Sequence, residues 1–456
     1  MENPAAATRE ELIAIIEALM ARVAELEEEI GRLRGGKGGG RALALKPSRR
    51  EREKKERKRR GRAFVRRKEQ PDEVVRHVVE RCPDCGRSLH GGWEHDRRQV
   101  IEVVLQRRVV DHVIWARRCG VCRRRWLAKP SASELGAQGK RRFGASVQSL
   151  VTTLHIGCRV PMRMIGQLMW ELFGLRVSDG EVVKLLDGVK QAGEPELEGL
   201  RKQVRTSPAV CGDETGWRQD GDNGYLWGFF TEGARYFEYR KSRSAQVPKE
   251  ILGEDFGGVV TCDFYGGYNK LGVLQRCWFH LLNDAKELAE LNADRPEVVG
   301  WVESLQALYQ EAKAVASACT ELPADCRVRR KERRRLEKLA AQLARPYVAR
   351  QSRHGGPQGL AAKHPDAPQR VLAHRIVKHL HELFVFVIDP AVPATNNLAE
   401  RSLRPAVIAR KISGGTRSPK GSQTRMGLMS LLGSWRAQGK GQLQGCRELL
   451  LSTRAP

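Results

Sequence analysis

Three acidic residues that lie far apart in the sequence are the side chains best placed to do chemistry. Asp213 and Asp263 each follow a short apolar run that predicts a strand, and Glu400 lies one turn inside a helix predicted to begin at Thr395 or Asn396. Such carboxylates can converge on two Mg²⁺ or Mn²⁺ ions about 3.5–4 Å apart, an arrangement that supports phosphoryl transfer at a phosphodiester. The spacing also allows a plainer interpretation, in which the aspartates only cap their strands.

Cationic residues surround the third acid and form a second dense group upstream of it. The candidate DNA-binding residues are Arg330, Arg334, Arg401, Arg404, Arg410 and Lys411. Guanidinium and ammonium groups suit a phosphate backbone, so both groups predict contact with DNA. The upstream arginines, which belong to a run at 327–335, equally allow a solvated helix face.

Two Cys-x-x-Cys pairs are a separate chemical signal. The candidate ligands are Cys82, Cys85, Cys119 and Cys122. Four thiolates can hold one Zn²⁺ ion in a tetrahedron, and each pair is next to a glycine that suits the tight turn such ligands need. Because four cysteines leave no open coordination position, the zinc would be structural. Free buried cysteines are the alternative interpretation.

The acids need a scaffold, and the elements predicted from residue 205 onward supply one. Aromatic-rich strands at 225–231 and 234–239 are joined by a hairpin turn at 232–233, and a helix, a strand that ends at Asp263 and a further helix follow. This order predicts an α/β ribonuclease-H-like catalytic core. We assign the first part of the core to 205–285, a helical insertion to 286–385, the second part of the core with the helix of Glu400 to 386–435, and a C-terminal helical tail to 436–456.

The segments before the core make the predicted protein multidomain. Residues 1–40 predict a coiled-coil helix and a Gly-rich linker, 41–75 a basic linker, 76–130 a small zinc-binding domain, and 140–200 a helical DNA-binding region. The heptad positions are Leu12, Ile16, Leu19, Val23, Leu26, Ile30 and Leu33. This seam predicts a homodimer or higher oligomer, although a helix packed on its own chain would show the same pattern. Ser178 is a predicted N-cap in the helical region, where a helix-turn-helix and two packed helices without a DNA role both fit.

The overall composition narrows the partners and the compartment. The 456 residues carry 81 Lys and Arg against 54 Asp and Glu, a net charge of +27. A field of that sign favours double-stranded DNA as the partner. No stretch is long and apolar enough to predict a transmembrane helix, and no secretory signal is visible, so we expect no membrane partner. The two Cys-x-x-Cys pairs among eleven cysteines favour a reducing cytoplasm with a bound metal over a disulfide scaffold.

Three segments resemble the signature segments of the insertion-sequence-66 family of transposases. They are residues 211–217, 263–269 and 396–405, and each contains one of the three acids. The twin Cys-x-x-Cys region, the leading heptad helix and the closing segment at 434–439 are also similar. The resemblance therefore covers nearly the whole chain in the family's order.

The resemblance implies a DDE transposase with a ribonuclease-H-like core. Asp213, Asp263 and Glu400 match its catalytic acids, which would hold two Mg²⁺ or Mn²⁺ ions for strand cleavage at transposon ends and strand transfer into target DNA. Small accessory proteins of the same element and a nucleoid-associated place in the bacterial cytoplasm are also implied. His280 matches part of a Cys/His motif of the family, although the residues after it depart from the pattern, and Glu214 belongs to the first motif without an assigned role.

Two other functions fit part of the same pattern. A non-catalytic zinc-containing DNA-binding protein, such as a decayed transposase or a regulator, would need only the zinc module, the basic segment and the helix pair. A nuclease on the same core would cleave DNA without joining it. The presence of all three acids favours the transposase.

Overall fold

The structure is a computed structural model that describes residues 70–101, 106–130, 134, 136, 142–348 and 367–452. It divides into two units, Met1–Glu102 and Val103–Pro456. The predicted coiled-coil helix and most of the predicted basic linker lie outside the described residues, so both stay predictions.

The described part of the first unit contains one turn around the first cysteine pair. The amide of Cys82 donates to the Arg87 carbonyl at 2.9 Å, and the amide of Gly86 donates back to the Cys82 carbonyl at 2.8 Å. Gly86 has φ +72°, the left-handed region that glycine enters without strain. The sequence therefore folds this pair into the tight turn that its glycine predicts.

The second unit begins with a short hairpin around the second cysteine pair. Strand β1 (Ala116–Arg118) pairs antiparallel with β2 (Arg125–Leu127). Cys119 and Cys122 lie in the connection, where the Cys119 amide donates to the Arg124 carbonyl at 2.9 Å. Both strands are fully exposed, so packing does not account for this hairpin.

A mixed five-stranded sheet forms the centre of the second unit. Its strands are β3 (Ala209–Gln219), β4 (Asp222–Phe230), β5 (Arg235–Arg240), β6 (Val259–Cys262) and β7 (Val273–Arg276). Their order across the sheet is β5-β4-β3-β6-β7. Strands β3, β4 and β5 form an antiparallel meander, whereas β6 and β7 run parallel to β3.

Helices occupy most of the remaining described residues of this unit. They are α1 (Ala145–Thr152), α2 (Met162–Phe173), α3 (Asp179–Ala192), α4 (Glu194–Arg205), α5 (Gln246–Leu252), α6 (Trp278–Leu291), α7 (Pro296–Ala318), α8 (Arg327–Ala344), α9 (Arg370–Lys378), α10 (Val385–Ile388), α11 (Asn397–Ser413), α12 (Pro419–Ala437) and α13 (Gln442–Ser452). Among the described residues, no helix combines the length and the apolar character needed to cross a membrane.

Two hydrophobic cores divide these elements. The larger core joins α1–α4 with the meander and with α11–α13, and the smaller one joins α6 with α7–α10. The segment predicted as a helical insertion supplies most of the smaller core, with Leu305, Leu336 and Phe384 among its buried side chains. Strand β5 is covered by α12, whose Ser430 hydroxyl accepts the Phe237 amide at 2.9 Å.

Helices α2 and α3 test the two interpretations of the region before the core. Gly174, with φ +59°, ends α2, and Ser178 caps α3 in a capping box with Glu181. The first turn of α3 is acidic through Asp179 and Glu181, and its apolar face is buried in the larger core. The capping box and the buried apolar face agree with two packed helices, and contact between this helix pair and DNA stays a prediction.

A buried histidine pairs with a buried arginine inside the larger core. The His155 ring donates through Nδ1 to the Val160 carbonyl at 2.9 Å, which leaves Nε2 to accept from Arg425 at 3.1 Å. Arg425 also lies over the Trp217 ring, 5.4 Å from its centroid. Burial, and then the charge of Arg425, lowers the pKa of His155 to about 4. His155 is therefore neutral in the folded chain near neutral pH.

We expect this histidine to destabilise the fold in mild acid. Between pH 6.5 and about 4 the unfolded chain binds a proton at His155 and the folded chain does not, so the free energy of unfolding falls by about 3 kcal/mol across that window. Urea unfolding of wild type and His155→Gln at pH 7 and pH 4.5 checks this. The loss should be smaller in His155→Gln, and the exposed control His374→Gln should behave as wild type does. Equal losses in all three proteins would contradict the assignment.

Candidate active site

Strand register brings the first two predicted acids together. Strands β3 and β6 are parallel, with Cys211 opposite Thr261. Two residues further along each chain, Asp213 and Asp263 are therefore level with each other on neighbouring strands. The Asp213 carboxylate accepts the amide of Glu214 at 2.9 Å, and the Asp263 carboxylate accepts the amide of Tyr265 at 2.9 Å. Each acid is thus oriented by its own backbone.

The electrostatic environment of Asp213 is unfavourable to a lone carboxylate. Burial, followed by the negative charges of Glu214 and Asp263, raises its pKa to about 7. A shift of this kind marks acids that are crowded without a compensating cation. A bound cation would remove that penalty.

The third acid lies on α11, and the start of this helix is tied to the strand of Asp213. Asn396, the residue before this helix, is fully buried and donates through Nδ2 to the Gly212 carbonyl at 2.8 Å, next to Asp213. Its amide donates to the Cys277 sulfur at 3.1 Å, and its carbonyl accepts the Glu400 amide at 3.1 Å. The side chain of Asn396 therefore ties the helix of Glu400 to the strand of Asp213.

His280 lies close to Glu400 and interacts electrostatically with both aspartates. Its Nε2 is 3.6 Å from Glu400 Oε1. Interaction with the Cys277 side chain raises the pKa of His280 to about 9, and the charges of Glu400 and Asp263 add to that rise. The same histidine lowers the pKa of Asp213 through its charge. His280 thus supplies positive charge close to the predicted acids.

The donor atoms of this cluster fit a divalent cation. Glu400 Oε1 is buried without a hydrogen-bond donor. Ligand atoms of Cys277, His280 and Glu400 all lie within 4.8 Å of one another, and within the described residues the three predicted acids do not form so compact a group. Carboxylate oxygens suit Mg²⁺, whereas the sulfur and nitrogen of Cys277 and His280 suit a softer ion. The three acids fit Mg²⁺ best if Glu400 turns from His280 toward the aspartates.

Sequence reasoning missed Arg276, which holds the loop after Asp263. This side chain is fully buried at the end of β7. Its guanidinium donates to the Asp263 carbonyl at 2.8 Å, to the Tyr265 carbonyl at 3.2 Å, to Asn269 Oδ1 at 2.5 Å and to Glu382 Oε2 at 2.5 Å. The one signal in the sequence was an arginine at the end of a short apolar run, just before the helix of His280.

The Glu214 carboxylate forms its hydrogen bonds with residues other than the three predicted acids and His280. It accepts hydrogen bonds from the Tyr268 hydroxyl at 2.6 Å and from Arg243 at 2.6 Å. The Arg243 guanidinium stacks over the Tyr265 ring, 3.8 Å from its centroid. Glu214 is therefore neutralised within the protein and anchors the residues that follow Asp263.

The predicted DNA-binding cations of α11 do not share one environment. Arg401, Arg404 and Lys411 are exposed, whereas Arg410 is half-buried and donates to the Gly216 carbonyl and to Thr215 Oγ1. Arg410 thus fixes α11 against β3.

The upstream cations lie on α8. Arg334 is exposed, and the exposed Arg330 pairs with Asp325 at 3.4 Å. Both side chains are exposed. Their exposure agrees with a DNA contact and equally with a helix face that is only solvated.

The two cysteine pairs lie in separate units of the chain. Hydrogen bonds from the amides and the thiol of the same turn lower the pKa of Cys82, and the same kind of bonds lower that of Cys119. Donors that favour the thiolate suit a metal ligand. Zinc binding stays a prediction.

Asn396 gives a direct test of how the third acid is positioned. We expect Asn396→Ala to lower the rate of DNA strand cleavage by about 10- to 100-fold, the usual cost of removing a residue that orients a metal ligand. The matched control is Asn397→Ala, which removes an exposed amide one residue away. Single-turnover cleavage rates at saturating DNA, with Mg²⁺ varied, make the comparison. Equal rates for both variants would show that the Gly212 contact does not hold Glu400 in place.

The mixed α/β fold, with a five-stranded sheet and many helices, fits a transposase domain. A family model described as Transposase IS66 family matches residues 140–424, which is more than half of the chain. The chain belongs to that family. No curated protein gives a significant match to it.

Proposed function

We propose that this protein is a DDE transposase that cuts transposon ends and joins them to target DNA. The observation that carries the proposal is that Asp213 and Asp263 are level with each other in parallel chain segments, and that the helix of Glu400 is tied through Asn396 to Gly212, the residue before Asp213. The strand order is β5-β4-β3-β6-β7. The first three of these strands form an antiparallel meander, and β6 and β7 run parallel to β3, which supports a ribonuclease-H-like core.

Asp213, Asp263 and Glu400 would hold two Mg²⁺ or Mn²⁺ ions. Bound there, such ions lower the pKa of a water or of a DNA 3′-hydroxyl and stabilise the leaving oxygen of an in-line displacement. The chain's own residues orient the acids: Asn396 holds the helix of Glu400, and Arg276 holds the loop of Asp263. His280 balances the acidic charge until cations arrive.

The proposed substrates are double-stranded transposon ends and target DNA. Arg401, Arg404 and Lys411 lie on the exposed side of the helix that carries Glu400, which supports contact between this helix and the phosphate backbone. The exposed Arg330 and Arg334 support a second contact from the helical insertion. We also propose a homodimer or larger assembly on DNA, accessory proteins of the same element, and a nucleoid-associated place in the cytoplasm.

The zinc-binding domain is a separate part of the proposal. Cys82, Cys85, Cys119 and Cys122 would hold one structural Zn²⁺ ion. Metal analysis of purified protein tests this, with about one zinc per chain expected and its loss expected in Cys82→Ser. Absence of zinc from freshly purified protein would remove this part and leave the catalytic proposal standing.

One assay tests the catalytic proposal directly. Purified protein is incubated with a pre-cleaved end of its own element and a target plasmid, in Mg²⁺ or in EDTA. Joined products that depend on Mg²⁺ support the transposase. Binding without cleavage or joining would support the non-catalytic DNA-binding protein, and cleavage without joining would support a nuclease.

A further inference from the structure

A small cavity lies at the far end of α11 from Glu400. It has a volume of about 180 Å³ and is lined by Arg218, Gly221, Ser413, Gly414, Gly415, Thr416 and Arg417. The two arginines are exposed, and neither forms an ion pair within the described residues. The cavity thus presents two free guanidinium groups from separate elements, the end of β3 and the loop before α12.

The backbone around this cavity is firmly held. The Thr416 amide donates to the Arg218 carbonyl at 2.9 Å, and the Asp220 amide donates to the Thr416 carbonyl at 2.8 Å. The Thr416 hydroxyl accepts from Trp217 Nε1 at 3.1 Å. A side chain on Gly415, where φ is +131°, would collide with the Arg218 carbonyl. The loop therefore keeps Arg417 close to the strand end that carries Arg218.

Exposed cationic side chains line α11 between Glu400 and this cavity. Arg401, Arg404 and Lys411 are exposed at spacings that place them along one side of the helix. Residues 401–447 contain no acidic side chain. Asp220 and Asp222 flank Gly221 but do not line the cavity. After Glu400, every charged side chain of α11 is a cation. A DNA backbone that runs along this helix therefore meets no acidic residue on it.

The length of the helix sets the scale of the partner. From Glu400 to Ser413 the chain rises by about 20 Å, at about 1.5 Å per residue. Phosphates of one DNA strand advance by about 3.4 Å along the duplex axis for each nucleotide. The cavity is therefore about six base pairs along the duplex axis from a scissile phosphate held at Glu400, if the duplex follows the helix.

We propose that Arg218 and Arg417 form a binding site for one backbone phosphate of the DNA duplex that is cut at Glu400. The proposal rests on the proposed transposase function and adds a defined anchor to it. Two guanidinium groups on different elements can grip a single phosphate from two sides. Such an anchor sets the register of the duplex relative to the acids without reading its sequence.

The first test measures salt dependence of binding. The probe is a 30-base-pair duplex of arbitrary sequence, titrated at several salt concentrations with wild type, Arg218→Gln, Arg417→Gln and the control Arg447→Gln. Arg447 is exposed on α13 and does not line the cavity. Its variant lowers the net charge by one unit, as Arg218→Gln and Arg417→Gln do. Losing a phosphate contact flattens the plot of log K against log salt by about 0.9. We expect that change in the first two variants and not in the control.

The second test locates the phosphate. Ethylation interference on both strands of the element's own end should show a sensitive phosphate about six base pairs along the duplex from the reacting 3′ end with wild type, and Arg417→Gln should lose that sensitivity. Slopes and interference equal to those of Arg447→Gln would overturn the anchor while leaving a wild-type protein that joins ends. A wild-type protein that neither binds nor joins DNA would overturn both the anchor and the proposed function.

Discussion

Asp263→Asn should abolish Mg²⁺-dependent strand cleavage while leaving DNA binding almost unchanged. The substitution keeps the size of the side chain and its acceptor for the Tyr265 amide, but it removes the charge that a divalent ion needs. We expect the cleavage rate to fall by roughly 10³-fold or more, at least the scale of losing one preorganised electrostatic contact. Cleavage and gel-shift titration of the same labelled transposon end measure the two properties together.

The matched control is Asp255→Asn, which neutralises an exposed aspartate just before β6. It should cleave and bind as wild type does. Parallel loss of cleavage and binding in Asp263→Asn, with an unchanged melting temperature, would mean that this carboxylate contacts DNA or shapes the DNA surface. Full activity in Asp263→Asn would remove the proposed centre altogether.

Arg276→Met should cost the fold about 3–5 kcal/mol, because several part-buried acceptors lose a donor at about 1–3 kcal/mol each. The variant removes the donor of the Asp263 and Tyr265 carbonyls and one of the two donors of Glu382, which keeps His379. Because the carbonyl of Asp263 is one of them, we also expect cleavage to weaken at temperatures where the variant is folded. Urea unfolding measures the first effect, and the Mg²⁺ concentration for half-maximal cleavage measures the second.

Arg335→Met is the control for this prediction. Arg335 pairs with Glu311 and Glu332, so it too has ionic partners, but the pairs are exposed. Its loss should change the free energy of unfolding by less than about 1 kcal/mol. Arg276→Lys separates charge from geometry, since a lysine keeps the charge but cannot reach four acceptors at once. A lysine variant with wild-type Mg²⁺ dependence would show that Arg276 does not position Asp263.

The sheet could be predicted from the sequence where strand and turn signals agreed. The glycine at 233 between two aromatic runs indicated the β4–β5 hairpin, which the structure contains with bounds shifted by one to three residues. Strand β3 runs on to Gln219, whereas the sequence reasoning ended it at the first acids. The missed signal was Asp220-Gly221, a two-residue turn in which both residues have positive φ.

The site was harder to predict because its support comes from residues of ordinary types. The three acids could be named from their motifs, but nothing local showed that Asn396 reaches Gly212 or that Arg276 reaches Glu382. Both contacts join residues more than 100 positions apart. Long-range pairs of this kind leave no periodic pattern in the sequence, so only the folded chain reveals them.

The helical segment with its own core, between the second aspartate and Glu400, has a consequence for protein synthesis. A ribosome makes both aspartates, and then more than 100 further residues, before it makes the glutamate. A nascent chain that stops short of Asn396 can fold neither the tether to Gly212 nor the helix it holds. Truncated or stalled chains would therefore lack the third acid of the proposed centre, which could assemble only after α11 has emerged from the exit tunnel.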